Sequence, residues 1–438
     1  MNQLRALWSN LNSSLWFVPT LMVAGAILLA FALVLVDVRL NHDWLADFPL
    51  LFGAGSAGAR GMLTAIASSM VTVAGLIFSL TLSTLAQVSS QYTPRVLRNF
   101  MRDRANQVVL GFFVSIFVYC LIVLRTIRGG DEGRFIPSIA VLIGLLLALV
   151  SIGVLIFFIH HIASSIQASN IVRHAAEETE AAIERLFPEQ LGQPASEADA
   201  QALRQTEELS WQAVPAQATG YVQSVDEESL LALAGQLAGV LRMQHGVGSF
   251  VARDAVLVEV ARYEGSTAPL PNDLADQVND AFTLGSQRTT EQDAGFGLRQ
   301  IVDIALKALS PGINDPTTAI ICIDHLGALL AQLADRRLPD PWRADHDQAR
   351  IIAIRPSFQQ FVATAFDQIR GCADGNAAIY QRLLTALATI RQRTQDPKRR
   401  QVLRKQAELV AEAARRTLAT AYEQEQVQQR LTELCLLW

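Results

Sequence analysis

Four long apolar runs dominate the first part of the chain, roughly Leu15–Val36, Met62–Leu85, Val108–Leu124 and Phe135–Ile159. Each has the about twenty residues that a helix needs to cross the hydrocarbon core of a bilayer. Past His160 the pattern turns to a polar helical repeat through Glu177, Glu178, Glu180 and Glu184, expected to continue the fourth span as a rigid stalk; it ends near Pro188, and LGQPASEADAQ follows as a linker. From Trp211 to Tyr263 the period changes again. GYVQSV and AVLVEVAR alternate and are rich in β-branched residues, while DEESLLALAGQLA between them has an acidic helix start and a helical repeat. Beyond Pro356, Phe358–Arg391 and Lys398–Cys435 read as two long helices split at Asp396-Pro397, an antiparallel hairpin. The pattern therefore predicts a membrane α-helical fold of four transmembrane helices, joined to a cytosolic, mainly α domain with a small β-containing insert. Its segments are a transmembrane domain (1–165), a stalk and linker (166–210), a small α/β module (211–265), a helical core (266–335) and a C-terminal helical hairpin (336–438).

The helical core holds the densest set of special residues, Arg288–Ala319, RTTEQDAGFGLRQIVDIALKALSPGINDPTTA. A first helix carries Arg299, Asp303 and Lys307; Pro311 and Gly312 break it, and a second helix starts with Asp315 suited to the N-cap and Pro316 to the first helical position. Three readings of this helix–elbow–helix stay open. It is a well-capped corner; or it is a site where Ser310, Asn314, Asp315, Thr317 and Thr318 join Arg299 and Lys307 around a small ion or anionic ligand at a helix N-terminus; or Asp293, Asp303 and Asp315 serve a cation or a subunit contact.

The second span differs from the other three. Thr64, Ser68, Thr72, Gly75, Ser79 and Ser83 recur at helical spacing and share one stripe. Small and hydroxyl residues along one face mean either close helix packing or a wetted wall, such as a pore lined by this helix from each subunit of a homo-oligomer. No Asp, Glu, Lys, Arg or His lies within the apolar cores of the spans, which argues against proton-coupled carriers and voltage sensors. Arg95, Arg98, Arg102 and Arg104 follow the second span against the single acid Asp103, so that loop is expected in the cytoplasm, and with it both termini.

Composition narrows the picture. The 438 residues are 51% hydrophobic and only 18% charged, too apolar for an ordinary soluble protein. A net charge of −5 gives no basic footprint for nucleic acid. The four cysteines, Cys120, Cys322, Cys372 and Cys435, lie far apart and form no metal-type pair, and His160 and His161 diverge on a helix. There is no phosphate-loop signature, no H-E-x-x-H and no G-x-S-x-G, so no catalytic residue, metal or cofactor is expected.

FGLRQIVDIALKALSPGINDPTTA, placed after a hydrophobic N-terminal portion containing SQYTPRVLRNF, resembles a widespread family of uncharacterised bacterial predicted membrane proteins known only as a domain of unknown function. That resemblance implies a multi-pass protein of the bacterial inner membrane and carries no activity. A second, partial likeness lies in the α/β module. Gly220-Tyr221-Val222, a helix, then Gly248-Ser249-Phe250-Val251 resembles half of a barrel-sandwich module such as the lipoyl and biotinyl carriers, yet the region has no lysine to bear a cofactor. The reading expected is a homo-oligomeric channel with a cytosolic regulatory domain, with a membrane-tethered scaffold that has no pore as the alternative.

Overall fold

The computed structural model describes residues 16–39, 55–91, 103–128, 135–187, 209–262, 271–290, 292–336, 338, 342–345 and 348–435. They form two compact units, residues 1–170 and 171–438. The arginines at 95, 98 and 102 and the linker after Pro188 lie outside the described residues.

The first unit is helical: α1 (Phe17–Arg39), α2 (Ser56–Gln91), α3 (Arg104–Thr126) and α4 (Ser138–Ser165). Its core is built from Leu63, Ile77, Phe113, Ile116, Tyr119 and Phe158. Helices approach closely where the sequence puts glycine: a Cβ on Gly111 of α3 would lie 2.9 Å from Pro19 Cα in α1. Polar groups at the helix ends finish the packing. Pro137 supplies no side-chain cap to α4, so its first N–H groups need an acceptor from elsewhere. Asp37, 1% exposed, provides it from the far end of α1, accepting from Ile139 N at 3.1 Å and Ala140 N at 3.0 Å. Tyr119 Oη donates to Ala140 O at 2.7 Å beside it.

The fourth span does not run on as a continuous stalk. α4 stops at Ser165, Ile166 and Gln167 interrupt it, and α5 (Ala168–Leu186) begins anew. The reason is local, since Ser164 O takes the amides of Gln167 and of the Asn170 side chain, bonds that close the helix end.

In the second unit, α5 buries Ile171, Val172, Ala175, Ala176, Thr179, Ala182 and Ile183, so the polar helix is one side of a core. Two sheets follow. The strands are β1 (Gln212–Pro215), β2 (Gly220–Val225), β3 (Gly239–Met243), β4 (Phe250–Val251), β5 (Val256–Arg262), β6 (Phe282–Gly285), β7 (Trp342–Asp345) and β8 (Gln348–Ile352). One sheet runs β1-β5-β3-β8-β7, antiparallel except for β3 beside β8; the other is β4-β2-β6, antiparallel throughout. Helices α6 (Glu227–Gln236) and α7 (Leu274–Asp280) pack on them through Leu230, Leu233 and Val278.

The elbow helices are α8 (Ala294–Ala308) and α9 (Pro316–Asp335). Where two long C-terminal helices were expected there are four: α10 (Phe358–Gly371), α11 (Ala377–Arg393), α12 (Pro397–Thr417) and α13 (Ala421–Cys435). The first division falls at Gly375, whose φ of 71° favours glycine, followed by Asn376 as the next N-cap. Arg382 of α11 pairs with Asp324 of α9, and Arg399 of α12 donates to the carbonyls of Leu333, Ala334 and Arg336, closing the end of α9.

Mostly helical with a small sheet region, the fold contains five helices long and apolar enough to cross a membrane among the described residues: α1 to α4 and α9. The fifth adds to the four drawn from the sequence. Its most apolar window is 61% buried, more than that of any of the other four.

Candidate functional site

At the elbow, local bonds dominate. Ser310 Oγ donates to Lys307 O at 2.6 Å, Asn314 N to Ser310 O at 2.9 Å, and Asp315 N to Ala308 O at 2.8 Å. Asn314 takes a φ of 48°, which asparagine tolerates, and this turns the chain into α9. Asp315 then caps α9: Oδ1 accepts from Thr318 N at 3.1 Å and Oδ2 from Thr318 Oγ1 at 2.5 Å, with Pro316 in the first turn. The corner thus brings Ser310, Asn314, Asp315 and Thr318 together, while Thr317 stands exposed beside them. Arg299 sits elsewhere. It pairs with Asp303 at 2.9 Å one turn along α8, and the eight residues to Lys307 span about 12 Å of helix. A carboxylate, that of Asp315, already takes both Thr318 donors at the start of α9.

On α2, Thr64, Ser68, Thr72, Gly75, Ser79 and Ser83 are all exposed. The opposite side carries Ala59, Leu63, Ala67, Met70, Ala74 and Ile77, all buried. A Cβ on Gly61 or Gly75 would meet nothing within 4 Å. Thr72 Oγ1 returns its proton to Ser68 O at 2.8 Å, the usual way a hydroxyl is satisfied on an apolar helix. The hydroxyl stripe therefore faces away from the core of its own unit.

Two further polar arrangements were not foreseen. In the first unit, Asp103 caps α3 through Ala105 N at 2.9 Å and meets His161 Nε2 of α4 at 2.6 Å. In the second unit, Asp293 caps α8, accepting from Phe296 N at 2.8 Å and from Arg288 through Nε at 2.9 Å and Nη2 at 2.6 Å. Gly248, with a φ of 86°, allows the backbone against this pair, since a Cβ there would lie 2.3 Å from Asp293 Oδ2. Burial pushes the Asp293 carboxyl up from its ordinary value, against the pull of Arg288 and of the Phe296 N–H. The one sequence signal was Asp293 standing directly before a helical run.

Beside Asp293 lies a cavity of about 60 Å³, walled by Leu186, Phe187, Met243, Val247 and Phe361, with Gln292, Asp293, Glu227 and Arg355 as its polar groups. Arg355 and Glu227 are ion-paired. Among the described residues no group of three or more His, Cys, Asp or Glu side chains is placed to hold a metal.

Comparison with known proteins gives the chain its relatives. An uncharacterized protein of Mycobacterium bovis and one of Mycobacterium tuberculosis strain H37Rv are each 36% identical to it over 423 residues, which is 96% of this chain and 80% of theirs. A further uncharacterized protein, from Mycobacterium tuberculosis strain CDC 1551, is 35% identical over the same length. No solved structure matches. The model of the family described as "Predicted membrane protein (DUF2254)" matches residues 12–389, across the apolar helices, both sheets and the elbow, and the chain belongs to that family.

Proposed function

We propose that the protein is a homo-oligomeric inner-membrane channel whose first four helices span the bilayer and whose second unit is a cytosolic regulatory domain, with both termini in the cytoplasm. The observation that carries this is the outward-facing stripe of Thr64, Ser68, Thr72, Gly75, Ser79 and Ser83 on α2. In a bilayer, hydroxyls and bare backbone on an outer face gain most against another helix or against water. Copies arranged about an axis would turn that face inward. In this reading α9 is a core helix of the second unit, held by Asp324 and by the Arg399 contacts at its end, and the elbow is its corner.

A membrane-tethered scaffold is favoured by a different aspect of the same helix. Gly61 and Gly75 leave room for backbones to approach, so the stripe would pack helix against helix with no axial path. Single-channel recording of purified protein in planar bilayers separates the two. Conductance that Ser79→Leu abolishes or alters supports the channel; silence across voltage, tension and ligand screens, from protein shown to be oligomeric, leaves the scaffold.

A further inference from the structure

The C-terminal helices carry a charge distribution that the chain as a whole does not. Between Arg391 and Lys405 stand seven basic residues and one acid, Asp396, in a protein of net charge −5. They surround one corner, made of the end of α11, the turn Thr394–Asp396 and the first two turns of α12. Bonds fix the corner's shape. Arg400 Nε donates to Thr394 O at 3.1 Å and its Nη2 to the Gln395 side chain, while Asp396 caps α12 through Lys398 N at 2.8 Å. Arg399 Nη1 donates to Arg336 O at 2.9 Å, which brings the end of α9 and one more arginine alongside.

Few carboxylates answer these charges. Asp396 lies 3.6 Å from Arg399, on which Asp335 also acts, and Glu408 pairs with Arg404 where both are exposed. The side chains of Arg393, Lys398 and Lys405 are exposed and enter no ion pair among the described residues. Arg391 and Arg400 press like charge on like, for burial and then the charge of Arg400 push the Arg391 pKa down. Further along α12 the exposed side mixes signs, Glu408 and Glu412 with Arg415 and Arg416, so the excess is confined to the corner.

Long exposed bases spread over two helical turns and a neighbouring helix end suit a sheet of anionic groups better than one small anion. A lipid surface is such a sheet, and the negative net charge of the whole chain speaks against nucleic acid. Only Ile166 and Gln167 separate α4, a helix long and apolar enough to cross a membrane, from α5, so the second unit is tethered close to a bilayer by sequence alone. We propose that this corner docks on the anionic phospholipid head groups of that bilayer, with Arg393, Lys398, Arg400 and Lys405 against the phosphates. The attraction is to surface potential, which salt screens, so docking depends on lipid charge and on ionic strength.

The scarcity of lysine makes a direct test, because Lys307, Lys398 and Lys405 are the chain's three. Full-length protein is placed in nanodiscs of phosphatidylcholine, or of equal parts phosphatidylcholine and phosphatidylglycerol, and treated with acetic anhydride; mass spectrometry reads the rate at each lysine. Lys398 and Lys405 should react at least about threefold more slowly in the anionic discs, Lys307 equally in both, and about 0.5 M salt should erase the difference. Arg393→Gln with Arg404→Gln, both exposed positions, should weaken the protection of both lysines. Equal rates at Lys398 and Lys405 in the two discs overturn the proposal. So does slowing that Lys307 shares, which is a general surface effect, or equal protection by soluble tripolyphosphate in phosphatidylcholine discs, which makes the ligand a free phosphate. The wild-type comparison needs no variant to fold, and no readout depends on conduction, so this proposal and the channel fail separately.

Discussion

Asp293 shows how one buried carboxyl can be placed under opposing demands. It caps a helix and holds Arg288, which both favour its charged form, yet burial outweighs them and raises its pKa. A carboxyl whose pKa is raised on folding contributes stability that is present below the unfolded value, about 3.9, and lost as pH climbs through the folded one. Urea unfolding of wild type and Asp293→Asn should therefore give a stability difference that declines as pH rises above about 4. A difference that grows with pH would mean that Arg288 dominates. Arg299 offers a simpler case. Its partner Asp303 is largely buried, so Arg299→Ala should cost about 1–3 kcal/mol, between the values for exposed and buried pairs, and Arg299→Ala with Asp303→Ala should recover part of it. By the same measurement, Asp315→Ala should cost about 0.5–2 kcal/mol for the lost cap.

Between elements, contact is decided at a few positions. Gly297 of α8 lies against α5 so closely that a Cβ would stand 2.3 Å from Thr179 Oγ1. Gly297→Ala should then cost about 1–3 kcal/mol through overpacking, and Thr179→Ala in the same chain should return only part of it, since the Thr179 Cβ at 2.9 Å stays; thermal unfolding of the pair measures the coupling. In the first unit, Asp37 ties the end of α1 to the start of α4. Asp37→Leu strands two N–H groups and should lower the midpoint of thermal unfolding in detergent well below that of Asp37→Asn, which keeps an acceptor. The sequence makes some of this legible and hides the rest. Asp315 before Pro316 announces its cap because capping is settled within four residues, and the apolar runs announce α1 to α4 because length and hydropathy are local properties. Asp37, by contrast, reads as an ordinary loop acid. Its role depends on Ile139 and Ala140, about a hundred positions away, and no pattern along the chain records that meeting. Gly375 was missed for the opposite reason, one residue being too small a signal to divide a long apolar repeat.

For the molecule as a whole, the motif around the elbow was enough to point to the family, because its residues lie in one unbroken stretch. The second unit is different: β8 enters the sheet beside β3 from over a hundred residues later, and Arg399 reaches back to Leu333, Ala334 and Arg336. That last contact has a consequence for biosynthesis. A chain emerging from the ribosome presents α9 long before Arg399 exists, so this apolar helix must wait with the carbonyls of its last turn open. A chain ended after Thr394 reproduces that moment. It should show α9 as a fresh site of proteolytic cutting, and Arg399→Lys in the complete chain, which supplies a charge but not the fork of donors, should fall between that truncation and wild type.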